Sequence, residues 1–82
     1  MVLKRYGLTP VDYAAMLDAQ GGRCAICGEE AERTARRLSV DHCHATGKVR
    51  GLLCRDCNVG LGVFGDEAEA LRRAAEYLEK HQ

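Results

Sequence analysis

Apolar side chains recur at helical spacing near both ends of the chain and alternate with polar ones in the middle, a pattern that predicts helices flanking a short sheet. Leu8-Thr9-Pro10-Val11-Asp12 reads as a helix start. Thr9 serves as N-cap, Pro10 fills the first helical position, and Asp12 sits by the unpaired amides and the positive dipole end. Tyr13, Met16 and Leu17 then share one face, and Gly21-Gly22 end the helix because glycine enters the left-handed region without steric cost. Glu29 to Arg36 is polar and aperiodic, hence an exposed loop. Leu38-Ser39-Val40-Asp41 alternates as a half-buried strand does, and a second strand is expected from Val49 to Leu53. Ala45-Thr46-Gly47 between them permits an antiparallel hairpin with a long functional loop. Cys54 to Asn58 opens a helix that ends in the glycine-rich stretch from Gly60 to Gly65, after which Asp66 caps a last helix running to about Lys80. The apolar face of that helix comprises Leu71, Ala74, Ala75 and Leu78. It is core, or, if the core is too small to cover it, a homodimer surface that includes Tyr77.

The chain has 82 residues, room for one domain spanning 1–82, and no linker or repeat divides it. Domains this small usually need a staple. Five cysteines are present, an odd number, and four of them form Cys24-x-x-Cys27 and Cys54-x-x-Cys57, so metal is favoured over a disulfide framework or redox couples. Four soft thiolates from two tight turns suit tetrahedral Zn²⁺ and leave no open coordination position, which makes the zinc structural. The fold class is therefore α+β, a small zinc-stabilised domain. Thiol usage points to a reducing, cytoplasmic compartment.

Charge and hydropathy narrow the partners. The N-terminus lacks the apolar run of a signal peptide, and no stretch reaches the roughly 18 apolar residues that cross a bilayer. Twelve basic residues balance twelve acidic ones, so bulk attraction to nucleic acid is absent. Locally, however, Arg33, Arg36, Arg37, Lys48, Arg50 and Arg55 face only Asp41 and Asp56 between residues 33 and 57, while the last helix carries the compensating acid. That basic middle is the phosphate-facing region, with Arg37, Lys48, Arg50 and Arg55 as phosphate contacts; the alternative is an ordinary solvated face.

Between the cysteine pairs runs Val40-Asp41-His42-Cys43-His44-Ala45-Thr46-Gly47-Lys48-Val49-Arg50-Gly51-Leu52-Leu53-Cys54, and Asn58 follows the last cysteine. With Tyr6-Gly7-Leu8-Thr9 and Gln20-Gly21-Gly22-x-Cys24-x-x-Cys27-Gly28, this stretch resembles the phage recombination endonuclease VII family, a branch of the HNH or His-Me finger nucleases. The resemblance runs from Tyr6 into the last helix. It implies a ββα-metal core carrying an N-terminal and a C-terminal helix, and a phage-infected or prophage-carrying bacterial cell as the setting. By position it implies Asp41 and Asn58 as ligands of a catalytic Mg²⁺ or Mn²⁺, His42 as general base, and His44 as a contact to the scissile phosphate.

The chemistry is consistent with those residue types: a hard cation takes carboxylate and amide oxygens, and an imidazole titrates near neutrality. Cys43 departs from the acidic residue common in the family at this position, which either weakens metal binding or is a neutral replacement. In a regular strand Asp41 and His42 face opposite sides, so convergence requires a bend there. The resemblance implies hydrolysis of DNA phosphodiesters, nicking duplex or branched DNA and leaving 5′-phosphate and 3′-hydroxyl ends. Family members that resolve branched DNA dimerise through longer helical extensions, and little of this chain lies beyond the nuclease core. The rival reading is a non-catalytic zinc module that binds DNA or protein. His81 reads as a solvated tail residue.

Overall fold

The computed structural model describes residues 7–31 and 37–82, in the order α1 (Pro10–Ala19), β1 (Ser39–His42), β2 (Val49–Leu53), α2 (Arg55–Val63) and α3 (Ala68–Lys80). Tyr6, Arg33, Arg36 and most of the polar loop that was expected after residue 29 lie outside the described residues. The architecture is α+β: three helices and one two-stranded antiparallel sheet.

Local chemistry starts α1 as expected. The Thr9 hydroxyl accepts from the Asp12 amide at 3.1 Å and the Asp12 carboxylate accepts from the Thr9 amide at 3.0 Å, so two otherwise orphaned donors are satisfied reciprocally. Gly21 and Gly22, at φ 65° and 72°, turn the chain out of the helix. Tyr13 is buried, Met16 and Leu17 pack beside it, and the Tyr13 hydroxyl donates to the Leu38 carbonyl at 2.6 Å.

The core is the hairpin and what lies on it: Leu38, Val40, Leu52 and Leu53, with Tyr13, Cys24 and Cys54. Leu38 and Leu52 are fully buried. β1 begins one residue later than the alternation suggests and ends on His42. The outer edge of β2 is not left open. The Gln20 side chain accepts from the Leu52 amide at 2.9 Å and donates to the Leu52 carbonyl at 3.0 Å, as a neighbouring strand would, and the Ala25 amide donates to the same carbonyl at 3.1 Å. The turn joining the strands is tighter than a long loop: Cys43 donates to the Lys48 carbonyl at 2.8 Å and accepts from the Gly47 amide at 2.6 Å.

Two expectations fail at the C-terminal end. Asp66 does not cap α3; the N-cap is Glu67, without a side-chain cap, and Asp66 sits in the left-handed region at φ 59° with its carboxylate on Arg50. Ion pairing has taken the oxygen that a cap would need. Nor is the apolar stripe of α3 core. Leu71 and Ala74 are half-buried, Ala75 and Leu78 are exposed, Tyr77 is 65% exposed, and no residue of the helix is buried. Among the described residues, the core cluster is drawn from α1, the cysteine turn and the hairpin with the residues on either side of it, and no residue of α3 joins it. α2, for its part, runs through Gly60 and Gly62 before ending at Val63.

Candidate functional site

Two clusters sit at opposite ends of the hairpin's chemistry, one of sulfur and one of charge. The turn at residues 24–28 and the start of α2 bring the Sγ atoms of Cys24, Cys27, Cys54 and Cys57 within 4.8 Å of one another. The Cys27 and Cys54 sulfurs are 3.7 Å apart. A tetrahedral zinc with Zn–S bonds of about 2.3 Å demands sulfur separations of about 3.8 Å, so the donor set fits.

Backbone amides face these sulfurs: Ile26 donates to Cys24 at 3.5 Å, Glu29 to Cys27 at 3.4 Å, and Cys57 to Cys54 at 3.4 Å, the last being the N-cap contact of α2. Burial alone would raise the Cys24 thiol, but amide donors at residues 54, 27 and 26 outweigh it and lower it to about 6. Burial and the neighbouring sulfurs push Cys57 the other way. Four thiolates this close repel one another, and a cation bound among them offsets that charge. The cluster is consistent with structural zinc.

The second cluster grows from an irregularity in the sheet. Ser39 pairs with Leu53, Val40 with Leu52 and Asp41 with Gly51, but His42 pairs with Val49. The register slips between Asp41 and His42, leaving Arg50 as the extra residue of a bulge. The slip adds its extra residue to β2, while β1 runs through Asp41 and His42 without interruption.

Asp41 is buried, 7% exposed, and its carboxylate is held in two-pronged fashion by Arg50: Nε to Oδ2 at 2.7 Å and Nη2 to Oδ1 at 3.0 Å. The same guanidinium reaches Asp66, with Nη2 to Oδ1 at 2.8 Å and Nη1 to Oδ2 at 3.1 Å. Hydrogen bonds from Arg50 are the main reason that the Asp66 carboxyl titrates below its ordinary range, and the charges of His44 and His42 add to the effect. The His42 and His44 rings stack at 5.1 Å between centroids, tilted by 37°. His42 ends β1 and His44 lies in the exposed turn. Cys43 between them faces Thr46, whose side chain and amide lower its thiol.

The structure thus brings Asp41, His42, His44 and Arg50 together at one end of the hairpin. Asn58 lies half-buried in the first turns of α2, its amide donating to the Cys54 carbonyl at 3.0 Å. The four basic residues singled out from the sequence do not act alike. Arg37 lies over the Tyr13 ring, 4.4 Å from its centroid, and lines a surface cleft with Arg55, Glu29, Asp56 and three of the zinc-site cysteines. Lys48 is exposed beside the hairpin turn, whereas Arg50 is committed to two carboxylates.

Sequence reasoning missed Asp66 and Gln20. Their pairings with Arg50 and Leu52 join residues 16 and 32 apart, which no local pattern signals.

A small α+β domain stapled by a four-cysteine metal site, with a histidine-carboxylate cluster on its hairpin, defines the class. The chain belongs to the recombination endonuclease VII family, which it matches over residues 1–80. It is 51% identical over 80 residues to the "Gene 59 protein" of Mycobacterium phage D29, covering 96% of this chain and 48% of that one. Against the "Gene 59 protein" of Mycobacterium phage L5 the identity is 50% over 78 residues, covering 94% and 47%. The chain spans about half the length of the curated relatives it matches. No solved structure matches it. Among the described residues, no helix is long and apolar enough to cross a membrane.

Proposed function

We propose that the domain is a metal-dependent DNA endonuclease that hydrolyses phosphodiester bonds, nicking duplex or branched DNA, with the β1–β2–α2 unit as an HNH-type ββα-metal core. The family supports the nuclease class. The observation that supports the residue-level reading is the cluster at the end of the hairpin, where the buried Asp41 precedes His42 in β1 and the His42 ring stacks on His44.

Asp41 and Asn58 offer hard oxygens, and Asp41 already attracts a cationic group, so the donor chemistry fits a divalent ion. Bound there, Mg²⁺ or Mn²⁺ would supply charge neutralisation at the phosphate. His42, as general base, takes the proton of the attacking water at a ring nitrogen as the new P–O bond forms. The P–O3′ bond breaks, and the ends are a 5′-phosphate and a 3′-hydroxyl. His44, whose ring stacks on His42, contacts the scissile phosphate. Lys48, Arg37 and Arg55 hold the DNA backbone, each by screened contacts that position without specifying sequence.

The competing reading is a zinc module whose second site is idle, and the guanidinium on Asp41 favours it, because a cation already occupies that carboxylate. Supercoiled-plasmid nicking by the zinc-loaded chain separates the two. Mg²⁺ or Mn²⁺ is added or withheld, rather than chelated, since a chelator would also attack the zinc. Nicking that needs the added ion and disappears in Asp41→Asn supports the nuclease. Inertness on plasmid, linear duplex and four-way junction alike supports the binding module.

A further inference from the structure

Arg50 and a divalent cation cannot share Asp41. Both carboxylate oxygens are engaged by the guanidinium, at 2.7 and 3.0 Å, and the Asp41 side chain is only 10% exposed, so two cations there would repel in a poorly screened place. Yet Arg50 has a second place to rest. As the extra residue of the bulge it stands outside the regular strand pairing, and it already has a second anchor in Asp66, which accepts from two of its nitrogens at 2.8 and 3.1 Å. Asp66 keeps this anchor in a left-handed backbone conformation that few non-glycine residues adopt readily.

We propose that Arg50 is an exchangeable gate on the Asp41 carboxylate, and that Asp66 is the positioning residue that keeps the guanidinium when Asp41 takes a divalent ion. The inference rests on the reading of Asp41 as a metal ligand. Without metal, Arg50 neutralises a buried carboxylate that would otherwise be unpaired, which is costly. With metal, Arg50 withdraws to Asp66, and the Nε and Nη2 hydrogens that Asp41 had held become available to a DNA phosphate. Metal and DNA then load together, because the ion displaces the group that next binds phosphate.

The test is Mn²⁺ binding to the zinc-loaded full chain, followed by calorimetry or by the electron paramagnetic resonance signal of free Mn²⁺. Removing the competitor in Arg50→Gln is expected to tighten Mn²⁺ binding about fivefold. Asp66→Asn, which tolerates the left-handed backbone but loses the charge, leaves Arg50 to Asp41 alone and is expected to weaken Mn²⁺ binding about threefold. In the double variant the Asp66 effect disappears, since Asp66 acts through Arg50.

Zinc content and melting temperature verify folding. Should Arg50→Gln unfold, Arg50→Lys, which keeps charge without the planar fork, is expected to tighten binding by a smaller factor. If Arg50 substitution leaves Mn²⁺ affinity unchanged or weakens it, or if Asp66→Asn weakens binding equally without Arg50, the gate is refuted. Asp41→Asn distinguishes the two levels: undiminished Mn²⁺ binding there overturns the assignment of Asp41, and the gate with it, whereas lost binding there alongside an inert Arg50 substitution overturns the gate alone.

Discussion

Asp66 is held below its ordinary value of 3.8 chiefly by the hydrogen bonds it accepts from Arg50. A carboxyl whose folded pKa is lowered stabilises the fold fully above its unfolded value, and that contribution is lost as pH falls through the lowered one. The carbon-13 shift of the Asp66 carboxyl, followed against pH, is therefore expected to titrate below the normal aspartate range and to move upward in Arg50→Gln; an unchanged midpoint would mean that Arg50 is not its partner in solution. The pairing explains why part of the site was illegible in the sequence. An aspartate between a glycine-rich stretch and an amphipathic run has the composition of a helix cap, and nothing local signals a guanidinium 16 residues earlier. Arg50 reads, by the same logic, as one more phosphate contact among several. The Thr9–Asp12 capping box and the cysteine pairs, by contrast, declare themselves because their chemistry is complete within four residues of chain.

The hairpin and α3 form the clearest contrast among the elements. Leu38 and Leu52 are fully enclosed, so Leu52→Ala is expected to lower stability by about 2–5 kcal/mol through lost burial and a residual cavity. Leu78 is 58% exposed on a helix with no buried residue, and Leu78→Gln is expected to stay within about 0.5 kcal/mol. Urea denaturation of the zinc-loaded variants measures both, and equal losses would show that α3 packs on the body in solution. Periodicity told correctly that residues 68–80 are helical and amphipathic, but a 3.6-residue repeat says only that one face is apolar and not what covers it. The strands were legible for the opposite reason: alternation in Leu38–Val40 coincides with the burial it predicts until Asp41, a buried carboxylate held by Arg50. That departure from the pattern falls at a residue that the catalytic reading uses.

Across the whole molecule, the sulfur cluster ties the 24–28 turn to the first turn of α2, and β2 runs directly into it through Leu53 and Cys54. So few side chains are buried that the metal is expected to hold the fold: apparent zinc binding energies of about 10–16 kcal/mol exceed the net stability of most small domains. Stripping the zinc, or Cys57→Ser, is expected to abolish the cooperative thermal transition, and a metal-free chain that still melted cooperatively would contradict that role. The same cluster ties β2, and through it the strand that carries Asp41 and His42, to the helix that carries Asn58. The most direct test is single-turnover cleavage of plasmid DNA in Mg²⁺ by wild-type chain and by His42→Ala at equal zinc content. Loss of the general base is expected to slow cleavage about a hundredfold or more while DNA binding persists; equal rates in the two proteins would contradict the account.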